Sequence, residues 1–148
     1  MARLILASSS PRRRELLEQL GLVFDIYSPD IDESVQAGES VADYVERLAC
    51  AKAEAVQLQY PDAIVIAADT SLGVDQEILG KPESKQHAFE MWGKISGRKH
   101  DVYTAVCVRT NTQISSIVVR TEVEFQHLSL NDMEAYWATS EPIGKAGA

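Results

Sequence analysis

Ala63-Ile64-Val65-Ile66-Ala67-Ala68-Asp69-Thr70 decides the fold. An unbroken apolar run is followed at once by a carboxylate. A short continuous run of this kind marks a strand buried on both faces, the sort found in a sheet covered by helices. The strand is expected to end at Asp69 and Thr70. Working backwards, Pro61 closes a helical pattern that begins at Ser40, a good N-cap. At the start of the chain, residues 4–7 form a short apolar strand. It runs into Ser8, Ser9, Ser10 and Pro11, where Ser10 caps a helix and Pro11 suits its first position. That helix reaches about Leu20 and stops at Gly21. A second strand is expected over 23–27.

Working forwards, weak alternation over 72–79 continues the sheet. Ser84 opens a third helix that ends near Ser96 and Gly97. Residues 103–109 and 114–125 read as two strands around an Asn111-Thr112 turn. Ser129 and Asp132 form a capping box for a short last helix. Early alternation of strands and helices, with a later hairpin, predicts an α/β fold: a mixed sheet with flanking helices.

Bulk properties narrow the function. The chain has 148 residues, a normal size for one domain, and no linker or repeat divides residues 1–148. Hydrophobic residues make up 45% and charged residues 24%, enough for a packed core. The net charge of −8 argues against broad nucleic-acid binding, which needs a basic surface. It leaves room for a small phosphorylated ligand held by a local cationic cluster. No run has the length of a membrane span or a signal peptide. Cys50 and Cys107 fit reduced thiols in a reducing compartment. A soluble, cytoplasmic protein is expected.

The informative residues are charges placed where the pattern asks for apolar side chains. In the first helix, Arg13, Leu16, Leu17 and Leu20 share one face. An arginine therefore heads the core-facing stripe, in the first turn, where the helix dipole disfavours a cation. A bound anion would reverse that penalty. Ser8 and Ser10 add hydroxyls and backbone N–H groups at the same helix start, and Arg12 flanks it. Without an anion, Arg13 would reach solvent along its stem. In the second helix, Lys52 interrupts the stripe Val41, Tyr44, Val45, Leu48 and Val56. A buried ammonium must find a partner, either structural or bound. Asp69 stands at the end of the buried strand, the edge where α/β sheets place ligand sites. It can hold a metal, act as a base or simply begin a turn. Asp32 and Glu33 put two more carboxylates on a loop, and Gly80-Lys81-Pro82 presents a lysine in a stiff turn.

Cations for phosphate oxygens and carboxylates for a metal and a water are the inventory of phosphoryl chemistry. Other chemistries fit less well. The chain lacks GxxxxGK[ST] and GxGxxG, its three histidines lack zinc spacing, and no GxSxG elbow is present.

The same residues carry a resemblance. Leu6-Ala7-Ser8-Ser9-Ser10-Pro11-Arg12-Arg13-Arg14-Glu15-Leu16-Leu17 resembles the opening motif of the Maf family, once called septum-formation inhibitors. Asp32-Glu33 matches its acidic pair. Arg47-Leu48-Ala49 with Lys52-Ala53, Ala68-Asp69-Thr70, Leu79-Gly80-Lys81-Pro82, Ser96-Gly97, Thr104-Ala105-Val106 and Lys145-Ala146-Gly147-Ala148 match later segments in the same order. The resemblance spans the chain.

It implies an architecture like that of the inosine triphosphate pyrophosphatases, and hydrolysis of a nucleoside triphosphate between its α- and β-phosphates. It implies that Asp69 is the general base or a metal-held carboxylate, and that Glu33 assists with a divalent cation, Mg²⁺ or Mn²⁺. Arg13, Lys52 and Lys81 then contact phosphates, and Ser8 and Ser10 donate hydrogen bonds. Arg12 and Thr70 resemble the branch acting on dTTP and UTP. A homodimer is also implied. Family members continue past the Lys-Ala-Gly-Ala segment, so the C-terminal part of the family domain is expected to be missing here. Two other readings follow from the resemblance: a nucleotide-binding regulator of division, and a house-cleaning enzyme for modified nucleotides.

Overall fold

The computed structural model describes residues 3–75, 77–79 and 84–139. Along them run β1 (Leu4–Leu6), α1 (Pro11–Gln19), β2 (Asp25–Ile26), α2 (Val41–Gln59), β3 (Ile64–Val74), β4 (Glu77–Leu79), α3 (Lys85–Ile95), β5 (Lys99–Arg109), β6 (Ile114–Glu124) and α4 (Leu130–Ala138). The strands are hydrogen-bonded in the order β2-β1-β3-β5-β6, with β4 on β3. β1 is parallel to β2 and β3, whereas β3 and β4 are antiparallel, so the sheet is mixed as expected. Each helix starts at the serine the sequence nominates. The hydroxyls of Ser10, Ser40, Ser84 and Ser129 accept the backbone N–H of Arg13, Asp43, His87 and Asp132. Each such cap contributes about 1 kcal/mol.

Two compact units divide the chain: Met1–Asp69 with Thr104–Val118, and Thr70–Tyr103 with Val119–Ala148. In the first unit, Leu6 of β1 faces Ile66 of β3, and the Ala7 N–H still reaches the Ile66 carbonyl at 2.8 Å. α2 buries Tyr44, Val45, Leu48, Ala49, Ala53 and Val56 along one face; with Ile5, Leu6, Ala7, Val65 and Ala67 these form the core of the unit. Gln57 finishes the helix. Its Nε2 donates to the carbonyls of Tyr60, Pro61 and Ala63 at 3.3, 2.9 and 2.9 Å, so one amide ties the helix end to the start of β3.

Three expectations need correcting in this unit. The apolar face of α1 is not core: Leu16 is 53% and Leu20 72% exposed, and α1 buries no residue. Its nine residues carry three arginines and two glutamates, and Arg13 rather than a leucine ties it down. The second strand shrinks to Asp25–Ile26, since Val23 lies almost fully exposed. Third, β3 does not stop at Asp69 but continues to Val74. Asp69 is buried beside a cation, so its carboxylate does not force the backbone out of the sheet.

In the second unit, residues 72–74 finish β3 and residues 77–79 return as β4, with Leu72 facing Leu79 and Val74 facing Glu77. The turn between them holds Asp75 at φ 50°, a left-handed conformation that Asp tolerates. Leu72, Val74, Leu79, Ala88, Met91, Trp92 and Ile95 make its core, with Tyr136 and Trp137 of α4 packed against it. β5 starts at Lys99, four residues earlier than the apolar pattern indicates, and so includes a buried His100 whose ring meets Phe125 edge-on at 5.0 Å.

No helix among the described residues is long and apolar enough to cross a membrane. Cys50 and Cys107 are both free thiols.

Candidate active site

The site lies in the first unit, where β1 ends and β3 goes on. In a parallel ladder, the N–H two residues beyond Ala7 would bond the carbonyl two residues beyond Ile66. The chain instead turns at Ser8 into α1, and the Ala68 carbonyl loses its ladder partner. Two cations replace it. Arg13 Nη1 donates to the Ala68 oxygen at 3.2 Å and Lys52 Nζ at 3.5 Å. The two charges that break their helical stripes thus converge on one backbone oxygen.

Ser8 braces this arrangement. It is 8% exposed, and its Oγ accepts the Ser10 N–H at 3.1 Å and Arg13 Nη1 at 3.3 Å. Both contacts use oxygen lone pairs, which leaves the hydroxyl proton to donate. Ser10 Oγ is engaged as the cap of α1, accepting the Arg13 N–H at 3.4 Å. Burial holds the Arg13 guanidinium below its ordinary pKa, and the Asp69 charge opposes that. An arginine stays charged regardless.

Lys52 is the hub. Its Nζ lies 3.0 Å from Asp69 Oδ1 and 3.6 Å from Glu33 Oε1. Asp69 is 7% exposed, and its Oδ2 is buried with no hydrogen-bond partner among the described residues. Burial raises the Asp69 pKa; Lys52 and then Arg13 pull it down, and the neighbouring Glu33 pushes it up. Burial outweighs the cations, so the Asp69 pKa sits above the ordinary carboxylate value, and Oδ1 alone is bonded to Lys52.

Asp32 and Glu33, adjacent in sequence, part company. Asp32 Oδ1 accepts the Ser34 N–H at 2.9 Å, which shapes the loop; the Ser34 side chain and then that N–H lower the Asp32 pKa, whereas Glu33 turns to Lys52. The structure thus brings together Ser8, Ser10, Arg13, Lys52, Asp69 and Glu33. Arg12 is exposed on the first turn of α1, and Thr70 follows Asp69 in β3, half-buried. Lys81 lies outside the described residues, as does the segment Lys145 to Ala148. Two residues that sequence reasoning gave no site role emerge here. Tyr44 reads as an ordinary member of an apolar stripe, yet its hydroxyl bonds the Glu33 carbonyl at 2.5 Å. Arg47 bonds the Ser34 carbonyl at 2.8 Å. Arg47 stands within a quoted motif, but nothing in its spacing points to a loop.

Among the described residues, no group of three or more His, Cys, Asp and Glu stands ready for a metal. The donors present are fewer and of one kind: the orphaned Oδ2 of Asp69 and the half-exposed carboxylate of Glu33. One or two carboxylates suit Mg²⁺ or Mn²⁺, which keep several waters and accept substrate phosphate oxygens. Asp69 and Glu33 are the residues that could hold such an ion.

The family model described as Maf-like protein matches residues 3–148. The chain belongs to the Maf family. It is 62% identical over 143 residues to a protein of Acinetobacter baylyi named dTTP/UTP pyrophosphatase; that match covers 97% of this chain and 78% of that protein. A Vibrio parahaemolyticus protein of the same name is 47% identical over 146 residues, covering 98% and 77%. Among solved structures, the Ham1 protein of Staphylococcus aureus superposes with a TM-score of 0.55 at 17% identity, over 82% of this chain and 69% of that one. A HAM1 protein of Coxiella burnetii gives 0.51 at 16%, over 83% and 73%. These likenesses show a shared architecture, the inosine-triphosphate-pyrophosphatase-like fold that the Maf resemblance implied.

Proposed function

We propose that this Maf-family chain hydrolyses dTTP and UTP to the monophosphate and pyrophosphate. The observation that carries this reading is the convergence of Arg13 and Lys52 beside Asp69, whose Oδ2 is buried and unsatisfied. The names borne by relatives at up to 62% identity support the choice of substrates.

In this reading the phosphates sit at the start of α1, where Arg13, Ser8 and the helix dipole meet them. A water held by Asp69 Oδ2 attacks the α-phosphorus and gives its proton to that oxygen. The bond from the α-phosphorus to the bridging oxygen breaks, and pyrophosphate leaves. Lys52 and Arg13 meet the charge that builds on the phosphate oxygens. Lys81 would serve the leaving group. A divalent cation on Glu33 and Asp69 would supply Lewis acidity to the phosphate oxygens. Arg12 and Thr70 would flank the base and phosphate positions. A homodimer comes with the family reading. The cytoplasm is consistent with two free thiols.

The test is pyrophosphate release from dTTP, UTP, CTP, GTP and ATP with Mg²⁺, Mn²⁺ or EDTA. Metal-dependent release from dTTP and UTP is expected. No release from folded protein on any of them overturns the reading, and tight dTTP binding without turnover would turn it into a nucleotide-binding protein.

A further inference from the structure

The loop that carries Glu33 is fastened to α2 at two successive backbone carbonyls. Tyr44 donates its hydroxyl to the Glu33 carbonyl at 2.5 Å, and Arg47 Nη2 donates to the Ser34 carbonyl at 2.8 Å. Arg47 is itself locked in place. Its Nε and Nη2 reach the two carboxylate oxygens of Glu39 at 2.7 and 3.0 Å, and its guanidinium lies over the Tyr44 ring at 5.6 Å. Glu39 returns the grip by accepting the Gln36 N–H at 3.0 Å. The same helix supplies the target of the Glu33 carboxylate: Tyr44, Leu48 and Lys52 recur every fourth residue and so share one face.

The Glu33 side chain does not hold this loop. Its carboxylate is half exposed and its distance to Lys52 is 3.6 Å, too long for a tight hydrogen-bonded pair. The Asp32 carboxylate shapes the loop from within, and the carbonyl clamps fasten it to α2 at Glu33 and its immediate neighbour.

We infer that Tyr44 and Arg47 are positioning residues for the reaction: by fixing the Glu33 and Ser34 carbonyls to α2, they aim the Glu33 carboxylate at the Lys52–Asp69 pair. The inference rests on the pyrophosphatase reading of that pair. Neither residue needs to touch the substrate. Their effect passes through Glu33, so it vanishes when Glu33 can no longer act.

The experiment uses the full chain with Mg²⁺ and dTTP. Arg47→Ala, Arg47→Lys and Tyr44→Phe are made alone and on a Glu33→Gln background. In the parent, each variant should lower kcat/KM, Arg47→Ala by roughly ten- to a hundred-fold, mainly through kcat. On the Glu33→Gln background, the same changes should add less than about two-fold. Hydrogen exchange at the Ser34 and Gln36 amides should quicken in each folded variant. Equal losses on both backgrounds, or unchanged kcat in a folded variant with a loosened loop, overturn the inference. Tyr44→Phe, which removes one oxygen, answers the question if Arg47→Ala does not fold. A folded parent without turnover would overturn the pyrophosphatase reading and this role with it. An active parent with insensitive variants overturns only the clamp.

Discussion

Lys52 bonds Oδ1 of Asp69 at 3.0 Å, while the buried Oδ2 has no hydrogen-bond partner among the described residues. The lysine opposes the desolvation that raises the Asp69 pKa, without using up the second oxygen. Desolvation favours the neutral acid and the two cations favour the anion. A general base needs such a compromise, since a carboxylate pinned at low pKa would not accept a proton.

Replacing Asp69 by Asn keeps the shape and removes the base. Turnover should fall by roughly 10²- to 10⁴-fold. The protein should stay folded, because the amide has the size of the carboxylate and its oxygen still accepts a hydrogen bond from Lys52. Pyrophosphate release and a thermal melt, run together, check both halves. Full turnover in folded Asp69→Asn would remove Asp69 from the mechanism.

The pair should also show itself in stability. The side chains of Lys52 and Asp69 are 12% and 10% exposed, so deleting either strands a charge. Lys52→Met should cost up to about 3 kcal/mol. The double variant Lys52→Met with Asp69→Asn should cost less than the sum, by roughly 1–3 kcal/mol. Denaturant melts of all four proteins measure that coupling. Additive costs would mean that the two groups are energetically independent.

His100 predicts a pH dependence with a definite sign. Burial lowers its folded pKa below the ordinary 6.5, Asp101 opposing, and its Nδ1 has no partner. The unfolded chain therefore takes up this proton first. The contribution is full above about pH 6.5 and is lost as pH falls below that value. Wild-type Tm should drop between pH 7 and pH 5 more than the Tm of His100→Gln. Parallel pH profiles would show that the imidazole gains its proton freely in the folded protein.

Cys107 should be chemically silent. Burial, then the neighbouring Cys50, push its thiol up to about 12, and only the thiolate reacts. Titration of the native protein with a disulfide reagent at pH 8 should find no more than one fast thiol, and two after denaturation. Two fast thiols in native protein would refute the burial of Cys107.

The helices were legible because their signals are local. Ser10, Ser40, Ser84 and Ser129 each announce a helix start, and each accepts the expected N–H. Lys52 and Asp69 were legible as misfits, since a charge inside an apolar pattern needs a partner, and each is the partner of the other. The exposure of α1 was hidden because a helical stripe tells which side chains share a face but not whether another element covers it. The continuation of β3 was hidden because a carboxylate looks like a strand end until the cation beside it is known. The clamping role of Tyr44 and Arg47 was hidden because they bond backbone oxygens, which have no letter in the sequence.

Backbone acceptors shape how this site can change over generations. The acceptor shared by Arg13 and Lys52 is the carbonyl of Ala68, and every residue that could replace Ala68 carries the same oxygen. No point mutation at position 68 erases the anchor. Drift there is limited by the volume and polarity of the side chain, buried at 7% exposure inside β3, whereas the donors Arg13 and Lys52 can each be lost by a single substitution.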